Sequence, residues 1–335
     1  MGIKSAGRLH AEELCKKYPD HSNIGLAKKL RVDYPECFSS VENARSIIRK
    51  IRGVSGTELR RTATQPRAKG KAGQVPKMPP SLAEPWLPFD LGSGIRVGAI
   101  SDTHIPYHSE VAFEAAVKNL KDRKLDVLLL NGDVADFYKI SRWQRDPAKR
   151  SFGEERKLVI EGLAWLRSEF GQRVRFVYKL GNHEERWNHF VWNQCPEIYD
   201  LPQMQIDTLL EFAKYGIELV EDQRPVLAGK LPIFHGHELG RGGIASPVNP
   251  ARGAFLRTHH TVLVGHSHQT SGHADTNLWH DETFVWSTGC LCDLTPEYAR
   301  VNRWNHGFAF VEVSQDGNFN VQNLRVSRDG KVRSA

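Results

Sequence analysis

Residues 125–136, LDVLLLNGDVAD, contain an unbroken apolar run at 127–130 that is followed by a glycine and two aspartates. Such a run is typical of a strand that is buried on both faces of a parallel sheet. A second run at 174–180, VRFVYKL, ends in a similar way, in Gly181-Asn182-His183-Glu184. A helical segment is predicted between them, at 154–170. This alternation of strand and helix predicts a layered α/β fold.

Three further apolar segments end in residues that bind metal ions. They end in Asp102-Thr103-His104, in His235-Gly236-His237 and in Gly265-His266-Ser267-His268. Because residues i and i+2 of a strand point to the same side, Asp102 and His104 can face one ion together. The same spacing pairs His266 with His268. Two ions roughly 3.5–4 Å apart can clamp a phosphate for attack by a metal-bridging hydroxide, so the pattern predicts phosphoester hydrolysis.

The donor types bear on the choice of metal. Carboxylate oxygen, imidazole nitrogen and amide oxygen suit transition metals and Zn²⁺ better than Ca²⁺. We therefore expect two divalent metal ions as cofactors, with Mn²⁺ as the first choice and Fe, Ni²⁺ or Zn²⁺ as alternatives.

The remaining elements are predicted from their periodicity and their turn residues. Strands are predicted at 95–101, 217–221, 231–235, 261–265, 283–288, 307–313 and 318–326. Helices are predicted at 109–123, near 204–215 and at 249–258. Asp316-Gly317 predicts a hairpin between the last two strands.

The N-terminal region differs in character. Residues 1–56 predict a small helical module, possibly resembling a helix-turn-helix, in which Ser22-Asn23 caps one helix. Ser39, with Glu42 three residues later, fits a capping box for the last helix, which Gly53 ends. Residues 57–92 predict a linker rich in proline, lysine and arginine. The phosphoesterase-like domain is then assigned to residues 93–330.

Positive charge is concentrated at this end of the chain. Residues 1–90 carry 17 lysines and arginines against 9 acidic residues, whereas the remainder is nearly balanced. Basic side chains give salt-dependent, largely sequence-independent affinity for nucleic acid. Residues 1–90 therefore predict a nucleic-acid contact; the alternative is a solvated or oligomerising arm.

Taken in order, five motifs resemble those of the calcineurin-like metallophosphoesterase superfamily. They are Asp102-x-His104, Gly132-Asp133-x-x-Asp136, Gly181-Asn182-His183-Glu184, His235-Gly236 and Gly265-His266-x-His268. The resemblance covers about residues 95–315. It implies a four-layer α/β/β/α sandwich with the metals at the strand ends.

The resemblance also implies roles for individual residues. The first metal would be bound by Asp102, His104 and His268, and the second by Asn182, His235 and His266. Asp133 would bridge both. His183 would protonate the leaving oxygen or stabilise the transition state, with Asp136 orienting it. We also predict that Arg186, Arg252 and His237 contact the substrate.

The substrate remains open between a phosphomonoester, a phosphodiester and nucleic acid. Asp136 is followed by Phe137-Tyr138 rather than Arg-Gly, unlike the Ser/Thr phosphoprotein phosphatases of the superfamily. Glu184 occupies a position where the break-repair nucleases usually carry Asp. The pattern is more similar to the diverse bacterial and phage phosphoesterases. A non-catalytic adaptor is a further alternative.

The cysteines and the hydropathy indicate the compartment. The five cysteines are odd in number and scattered, which favours reduced thiols. No run of 18 apolar residues is present, so neither a membrane span nor a membrane partner is expected. We predict a cytoplasmic protein; the sequence does not predict its oligomeric state.

Overall fold

The computed structural model describes residues 5–53, 78–142, 151–240 and 248–335. The chain divides into two compact units, Met1–Ala83 and Glu84–Ala335. Within these described ranges, none of the helices has both the length and the apolar character needed to cross a bilayer.

The first unit contains three helices around a small apolar core. They are α1 (Ala6–Lys17), α2 (Asn23–Asp33) and α3 (Val41–Ile51). Leu26, Leu30, Phe38 and Ile48 are among its fully buried side chains. Each helix buries one apolar stripe against the other two, which is the only way helices this short remain stable.

The helix caps of this unit confirm one prediction and correct another. The Ser22 side chain accepts a hydrogen bond from Gly25 N, 3.2 Å away, and so caps α2. The predicted Ser39–Glu42 capping box is wrong by one residue. Ser40 is the N-cap of α3, and its hydroxyl accepts from Asn43 N at 3.0 Å. Two adjacent serines offered two registers, and the apolar stripe of α3 selects the second.

The second unit is built on two β-sheets and six helices in the part of the chain that the structure describes. Its strands are β1 (Phe89–Asp90), β2 (Ile95–Ile100), β3 (Val127–Asn131), β4 (Arg175–Lys179), β5 (Ile217–Val220), β6 (Val226–Ala228), β7 (Leu231–Phe234), β8 (Val262–Val264), β9 (Ser271–Thr276), β10 (Glu282–Ser287), β11 (His306–Val313), β12 (Phe319–Val326) and β13 (Val332–Ser334). Its helices are α4 (Glu110–Asp122), α5 (Phe152–Phe170), α6 (Glu185–Gln194), α7 (Ile206–Leu209), α8 (Phe212–Tyr215) and α9 (Pro250–Thr258).

The order of strands brings the functional motifs to common edges. One sheet has the order β13-β12-β11-β2-β3-β4-β5, and the other β1-β6-β7-β8-β10-β9. Strands β2, β3 and β4 run parallel to one another, as do β7 and β8. Because parallel strands end on the same side, the loops after them converge.

Side-chain alternation along the strands creates the layers. In β3, Leu128 and Leu130 pack in a core with α4 and α5, whereas Val127 and Leu129 pack against the second sheet. Val264 of that second sheet packs against α9 on its outer face. Because side chains alternate between the two faces of a strand, β3 contributes residues to two hydrophobic cores. The resulting α/β/β/α sandwich confirms the predicted fold class.

Several elements differ from their predictions. The strands β1, β6, β9 and β13 were missed because they are short or polar edge strands whose pairing depends on distant partners. Phe89–Asp90 pairs with Val226–Ala228, although we assigned it to the linker. The predicted helix near 204–215 is broken into α7 and α8. The rest of the domain assignment stays a prediction, and linker residues 57–77 lie outside the described residues.

Candidate active site

Two clusters of metal-binding side chains lie where the loops after β2, β3, β7 and β8 meet. Asp102, His104, Asp133 and His268 place one donor atom each within 4.8 Å of one another. Asp133, His235 and His266 form a second group by the same measure. Asp133 belongs to both, so the two groups adjoin through one carboxylate. We call them the first and the second donor group.

The first donor group is closely packed and buried. His268 Nε2 lies 3.0 Å from Asp102 Oδ1, and His104 Nε2 lies 3.3 Å from His268 Nε2. The other oxygen of Asp102 accepts a hydrogen bond from the backbone N–H of His266 at 3.0 Å. His104 Nδ1 is 2.9 Å from Asp136 Oδ1, which directs the Nε2 atom of His104 into the group.

The second donor group is oriented through backbone. His235 Nδ1 donates to the carbonyl of Asn131 at 2.7 Å, so its Nε2 faces Asp133 Oδ2 at 3.3 Å. Burial opposes protonation of His235, but Asp133 and Asp102 outweigh it and raise its pKa to about 10. Burial, followed by the charge of His235, lowers the pKa of His266 to about 4. The negative charge of Asp133 and Asp102 favours a proton on His235, and it would also attract a divalent cation.

The chemistry of the donors fits metal ions. Asn182 Oδ1 and His266 Nδ1 are buried atoms without a hydrogen-bond partner in the described part of the chain. Burying such a polar atom unpaired costs roughly 1–3 kcal/mol, which a coordinated cation would offset. Burial raises the pKa of Asp133, but the imidazoles of His183 and His235 lower it by a larger amount. The net pKa of Asp133 therefore lies well below its usual range.

Backbone conformation sets these loops apart. Five of the residues that we predict to bind metal adopt left-handed backbone: Asp102 (φ 55°), His104 (φ 49°), Asp133 (φ 53°), His266 (φ 65°) and His268 (φ 56°). Residues other than glycine avoid this region, and each costs of order 1 kcal/mol. The surrounding structure must hold this strained backbone in place. Strained residues that cluster in this way are typical of a functional site.

Two glycines allow the loops to approach each other. A Cβ atom at Gly132 would collide with the ring of His235, and one at Gly181 would collide with the carboxylate and backbone of Asp133. Gly132 also has φ 84°. Both residues are therefore needed because backbone passes directly beside a donor side chain.

His183 lies at the edge of the two donor groups. Its Nε2 is 3.7 Å from Asp133 Oδ2, and its Nδ1 donates to the carbonyl of Asp136 at 2.8 Å. Arg186 donates through Nη2 to His183 Nε2 at 2.8 Å and through Nη1 to the same Asp136 carbonyl at 2.8 Å. Burial is the main cause that lowers the pKa of His183, which keeps the ring neutral.

The Asp136 carboxylate lies beside two imidazoles, whereas only its contact with His183 was predicted. Its carboxylate lies 2.9 Å from His104 Nδ1 but 3.3 Å from His183 Nδ1. The shorter contact is therefore to a predicted metal ligand, and His183 is oriented mainly by the Asp136 carbonyl. The motif spacing did not distinguish these partners because both rings lie within reach of one side chain.

Glu184 organises the loops, a role that sequence reasoning missed. Its carboxylate accepts backbone N–H bonds from Asp133, Val134, Ala135 and Gly181 at 2.8–2.9 Å, and the Tyr178 hydroxyl at 2.7 Å. This buried side chain ties the loop after β3 to the loop after β4. Its place beside His183 was the available signal, but its partners come from another strand.

A buried ion pair supports the second donor group and was also missed. Lys179 Nζ in β4 lies 2.7 Å from Glu238 Oε1, and both side chains are at most 5% exposed. Glu238 also accepts the backbone N–H groups of His235 and Gly236, at 3.2 and 2.6 Å. The pair therefore joins one sheet to the loop that carries His235. A lysine within an apolar strand was the signal that sequence reasoning passed over.

The three predicted substrate contacts lie in different surroundings. Arg186 adjoins His183, as described above. His237 lies beside the second donor group, 5.3 Å from the His235 ring, with its Nε2 3.1 Å from Glu185 Oε1. Arg252 is exposed in the first turn of α9, where its backbone N–H donates to Asn249 Oδ1 at 3.0 Å.

Comparison with known families accounts for this arrangement. The family model described as calcineurin-like phosphoesterase matches residues 95–270, which include every residue of both donor groups. The chain belongs to the calcineurin-like phosphoesterase family. Phosphoesterases of this family depend on metal ions, and the two donor groups are candidate metal-binding sites of this member.

Relatives of this chain occur in phages. The Gene 54 protein of Mycobacterium phage L5 is 25% identical, and the alignment covers 71% of this chain and 98% of that protein. The Gene 54 protein of Mycobacterium phage D29 is 26% identical with the same coverage of both chains. Among solved structures, Yfce, a phosphoesterase from E. coli, has a TM-score of 0.36 and 16% identity over 71% of this chain and 96% of its own. Vps29 from Entamoeba histolytica has a TM-score of 0.36 and 12% identity over 72% of this chain and 98% of its own.

Proposed function

We propose that this protein is a phosphoester hydrolase that uses two divalent cations. The supporting observation is the pair of buried donor groups that share Asp133. Asp102, His104, Asp133 and His268 would hold one cation, and Asp133, Asn182, His235 and His266 the other. We propose Mn²⁺ as the native metal, because carboxylate and amide oxygens suit it, and the imidazole donors leave Fe, Ni²⁺ and Zn²⁺ as alternatives.

When bound, the cations supply Lewis acidity toward the phosphoryl oxygens and lower the pKa of water. The chain's own residues supply orientation. Asp136 fixes the ring of His104, and the Asn131 carbonyl fixes that of His235, so both Nε2 atoms point into the donor groups. Glu184 holds the loop that carries Asp133 against the loop that carries Asn182.

We propose that His183 acts on the leaving oxygen and that Arg186 binds the phosphate. In the ligand-free protein, Arg186 occupies the Nε2 lone pair of His183 and disfavours a proton there. A phosphate ester would draw the Arg186 guanidinium into a bidentate contact with its oxygens. The Nε2 atom of His183 would then be free to hold a proton and pass it to the departing oxygen.

The proposal is tested by assaying the purified chain on p-nitrophenyl phosphate and bis-p-nitrophenyl phosphate. Mn²⁺, Ni²⁺, Fe²⁺, Zn²⁺ and Mg²⁺ should be added in parallel, each with a chelated control. We expect turnover that chelation abolishes and Mn²⁺ restores. A metal-loaded protein without turnover on a broad phosphoester panel would contradict the proposal and favour a non-catalytic adaptor.

Nucleic acid is a second candidate substrate, with residues 1–90 as the contact. Arg49 and Lys50 at the end of α3 are exposed, as are Lys28 and Lys29 of α2. Arg52 is occupied differently, since its guanidinium donates to the carbonyls of Tyr18 and His21 at 2.8 and 2.6 Å. It therefore stabilises the module rather than offering a free charge.

Charge reversal tests this candidate in the full chain. Arg49→Glu with Lys50→Glu should weaken DNA binding and reduce its dependence on salt, because two phosphate contacts are lost. Turnover of bis-p-nitrophenyl phosphate should not change. Glu13→Lys, on the same module, is a control that should not lower affinity. Unchanged DNA affinity in the double variant would contradict the candidate.

A further inference from the structure

A buried thiol adjoins the first donor group. The Sγ atom of Cys292 and one nitrogen each of His104 and His268 lie within 4.8 Å of one another. Two atoms that are bound to one cation by bonds of about 2.0–2.3 Å lie at most about 4.5 Å apart. The sulfur is therefore close to the distance at which it would share a cation with both imidazoles.

The thiol and the two carboxylates adjoin the same two imidazoles. Asp102 and Asp133 form one group with His104 and His268, and Cys292 forms another with the same two rings. Cys292 is only 3% exposed, so its sulfur faces the interior of the site rather than solvent. The thiol is thus an additional donor beside the first donor group.

The backbone on both sides of Cys292 is hydrogen-bonded to the loop after β2, which carries two of the donors. The N–H of Leu291 donates to the Asp102 carbonyl at 3.0 Å, and the N–H of Asp293 donates to the Tyr107 carbonyl at 2.8 Å. These bonds hold the thiol beside the donor group before any cation binds. Such support is what a preorganised ligand requires.

The neighbouring thiol of Cys290 differs from that of Cys292. Its Sγ donates to the Asn305 carbonyl at 3.7 Å, and among the described residues it belongs to none of the candidate donor groups. The hydrogen bond with Cys290, followed by burial, raises the pKa of the Cys292 thiol, which is therefore neutral in the cation-free chain. A bound divalent cation deprotonates a coordinating thiol, and the proton leaves to solvent.

A thiolate would change which cations the first position prefers. Thiolate sulfur is a soft donor that favours Zn²⁺, whereas carboxylate oxygen suits Mn²⁺. The second donor group consists of carboxylate and imidazole donors. The two positions therefore differ in softness, because sulfur adjoins only the first.

We infer that Cys292 is a thiolate ligand of the first cation, which it shares with His104 and His268, and that it shifts the preference of this position toward Zn²⁺. This inference rests on the proposed use of two cations and specifies one of their two positions. Mn²⁺ still binds there when Zn²⁺ is absent, because the carboxylates of the first donor group suit it.

Near-ultraviolet absorption during a titration of the full chain with Co²⁺ tests the ligand directly. Co²⁺ bound by thiolate gives an intense sulfur-to-metal charge-transfer band, which imidazole and carboxylate ligands do not give. We expect this band in the unaltered chain, kept reduced by a phosphine, and its loss in Cys292→Ser. Cys290→Ser is the matched control and should retain the band. Co²⁺ binding without the band, with bound metal measured by elemental analysis, would overturn the inference, and so would loss of the band only in Cys290→Ser.

Calorimetric titration measures the preference between cations. In Cys292→Ser, the affinity of the first position for Zn²⁺ should fall by at least about tenfold, since even the loss of a contact to a ligand costs that much. The affinity for Mn²⁺ should fall by less. Cys292→Ala places no hydroxyl in this buried position and should give the same result if the serine disturbs the fold. An equal fall for both cations in both variants would show a structural role and overturn the inference.

Neither measurement uses a phosphoester, which separates the thiolate ligand from the proposed hydrolysis. A chain that shows the band and the Zn²⁺ preference but no turnover would support the ligand and contradict the hydrolysis alone. A chain that hydrolyses phosphoesters but binds Co²⁺ without the band would overturn the ligand alone.

Discussion

The two donor groups share Asp133 but are supported in different ways. In the first, His104 is backed by the Asp136 carboxylate, and Asp102 adds a second negative charge. In the second, His235 is backed by a neutral carbonyl, and Asn182, the further ligand that we propose, would add an uncharged amide. A carboxylate behind an imidazole increases its basicity, whereas a carbonyl mainly fixes its orientation. We therefore expect the first group to bind a divalent cation more tightly than the second.

The largest effect should come from the shared residue. Asp133→Ala removes a donor from both groups and leaves His183, His235 and His104 without their central anion. We expect both cations and all detectable turnover to be lost. Elemental analysis of the purified variant measures the metal content. Unchanged metal content would show that Asp133 does not join the two groups.

His183 tests whether metal binding and chemistry separate. His183→Ala should lower turnover by roughly 10²–10⁴, which is the usual contribution of a proton donor. Both cations should remain bound, because His183 is outside the donor groups as we assign them. Kinetics and elemental analysis on one preparation measure the two effects. Joint loss of metal and turnover would instead make His183 a ligand.

The stability of the protein should depend on the ion pair between Lys179 and Glu238, which joins β4 to the loop that carries His235. Lys179→Met leaves Glu238 charged and buried without its partner, which should cost about 3–5 kcal/mol of unfolding free energy. Lys179→Met with Glu238→Gln should recover most of this, because no unpaired charge remains. Urea unfolding measures all three proteins. Equal stability of the single variant and the unaltered protein would show that Glu238 gains another partner.

Asp136→Asn addresses the difference in affinity between the groups. The substitution keeps a hydrogen-bonding side chain beside His104 but removes its charge. We expect the tighter of two Mn²⁺ dissociation constants to rise by about 10–100-fold, toward the weaker one. Calorimetric titration resolves the two sites. A change confined to the weaker site would reverse our assignment of the two affinities.

The smallest effect concerns Glu155, which accepts the Tyr138 N–H beside Asp136 at 3.1 Å. Burial and then the charge of Asp136 raise the pKa of Glu155 to about 8. The folded protein thus retains a proton that the unfolded chain loses near pH 4.5, so stability falls as pH rises from about 5 to 8. The unfolding free energy should fall by roughly 1–3 kcal/mol over this pH range, and Glu155→Gln should abolish this fall. Urea unfolding at pH 5.5 and pH 8 measures it, and parallel pH profiles would contradict the pKa.

The sequence predicted the α/β/β/α architecture, and it predicted that the metal-binding motifs follow the ends of strands. The apolar run 127–130 is typical of a strand buried on both faces of a parallel sheet, and the loops that follow parallel strands lie at the same edge of the sheet. What it did not predict depends on partners distant in the chain. Glu184 bonds to the loop after β3, Lys179 pairs with Glu238, and Asp136 contacts His104 more closely than His183. The hydrophobic periodicity of a sequence does not indicate such long-range contacts.

The left-handed residues at the site carry a consequence for engineering. Glycine at position 104 or 268 would relax the backbone, and it would also delete an imidazole. A screen that rewards only a higher melting temperature would therefore enrich inactive proteins. Selection for heat resistance in this chain should be coupled to a readout of cation retention, so that tolerance is gained elsewhere in the sandwich.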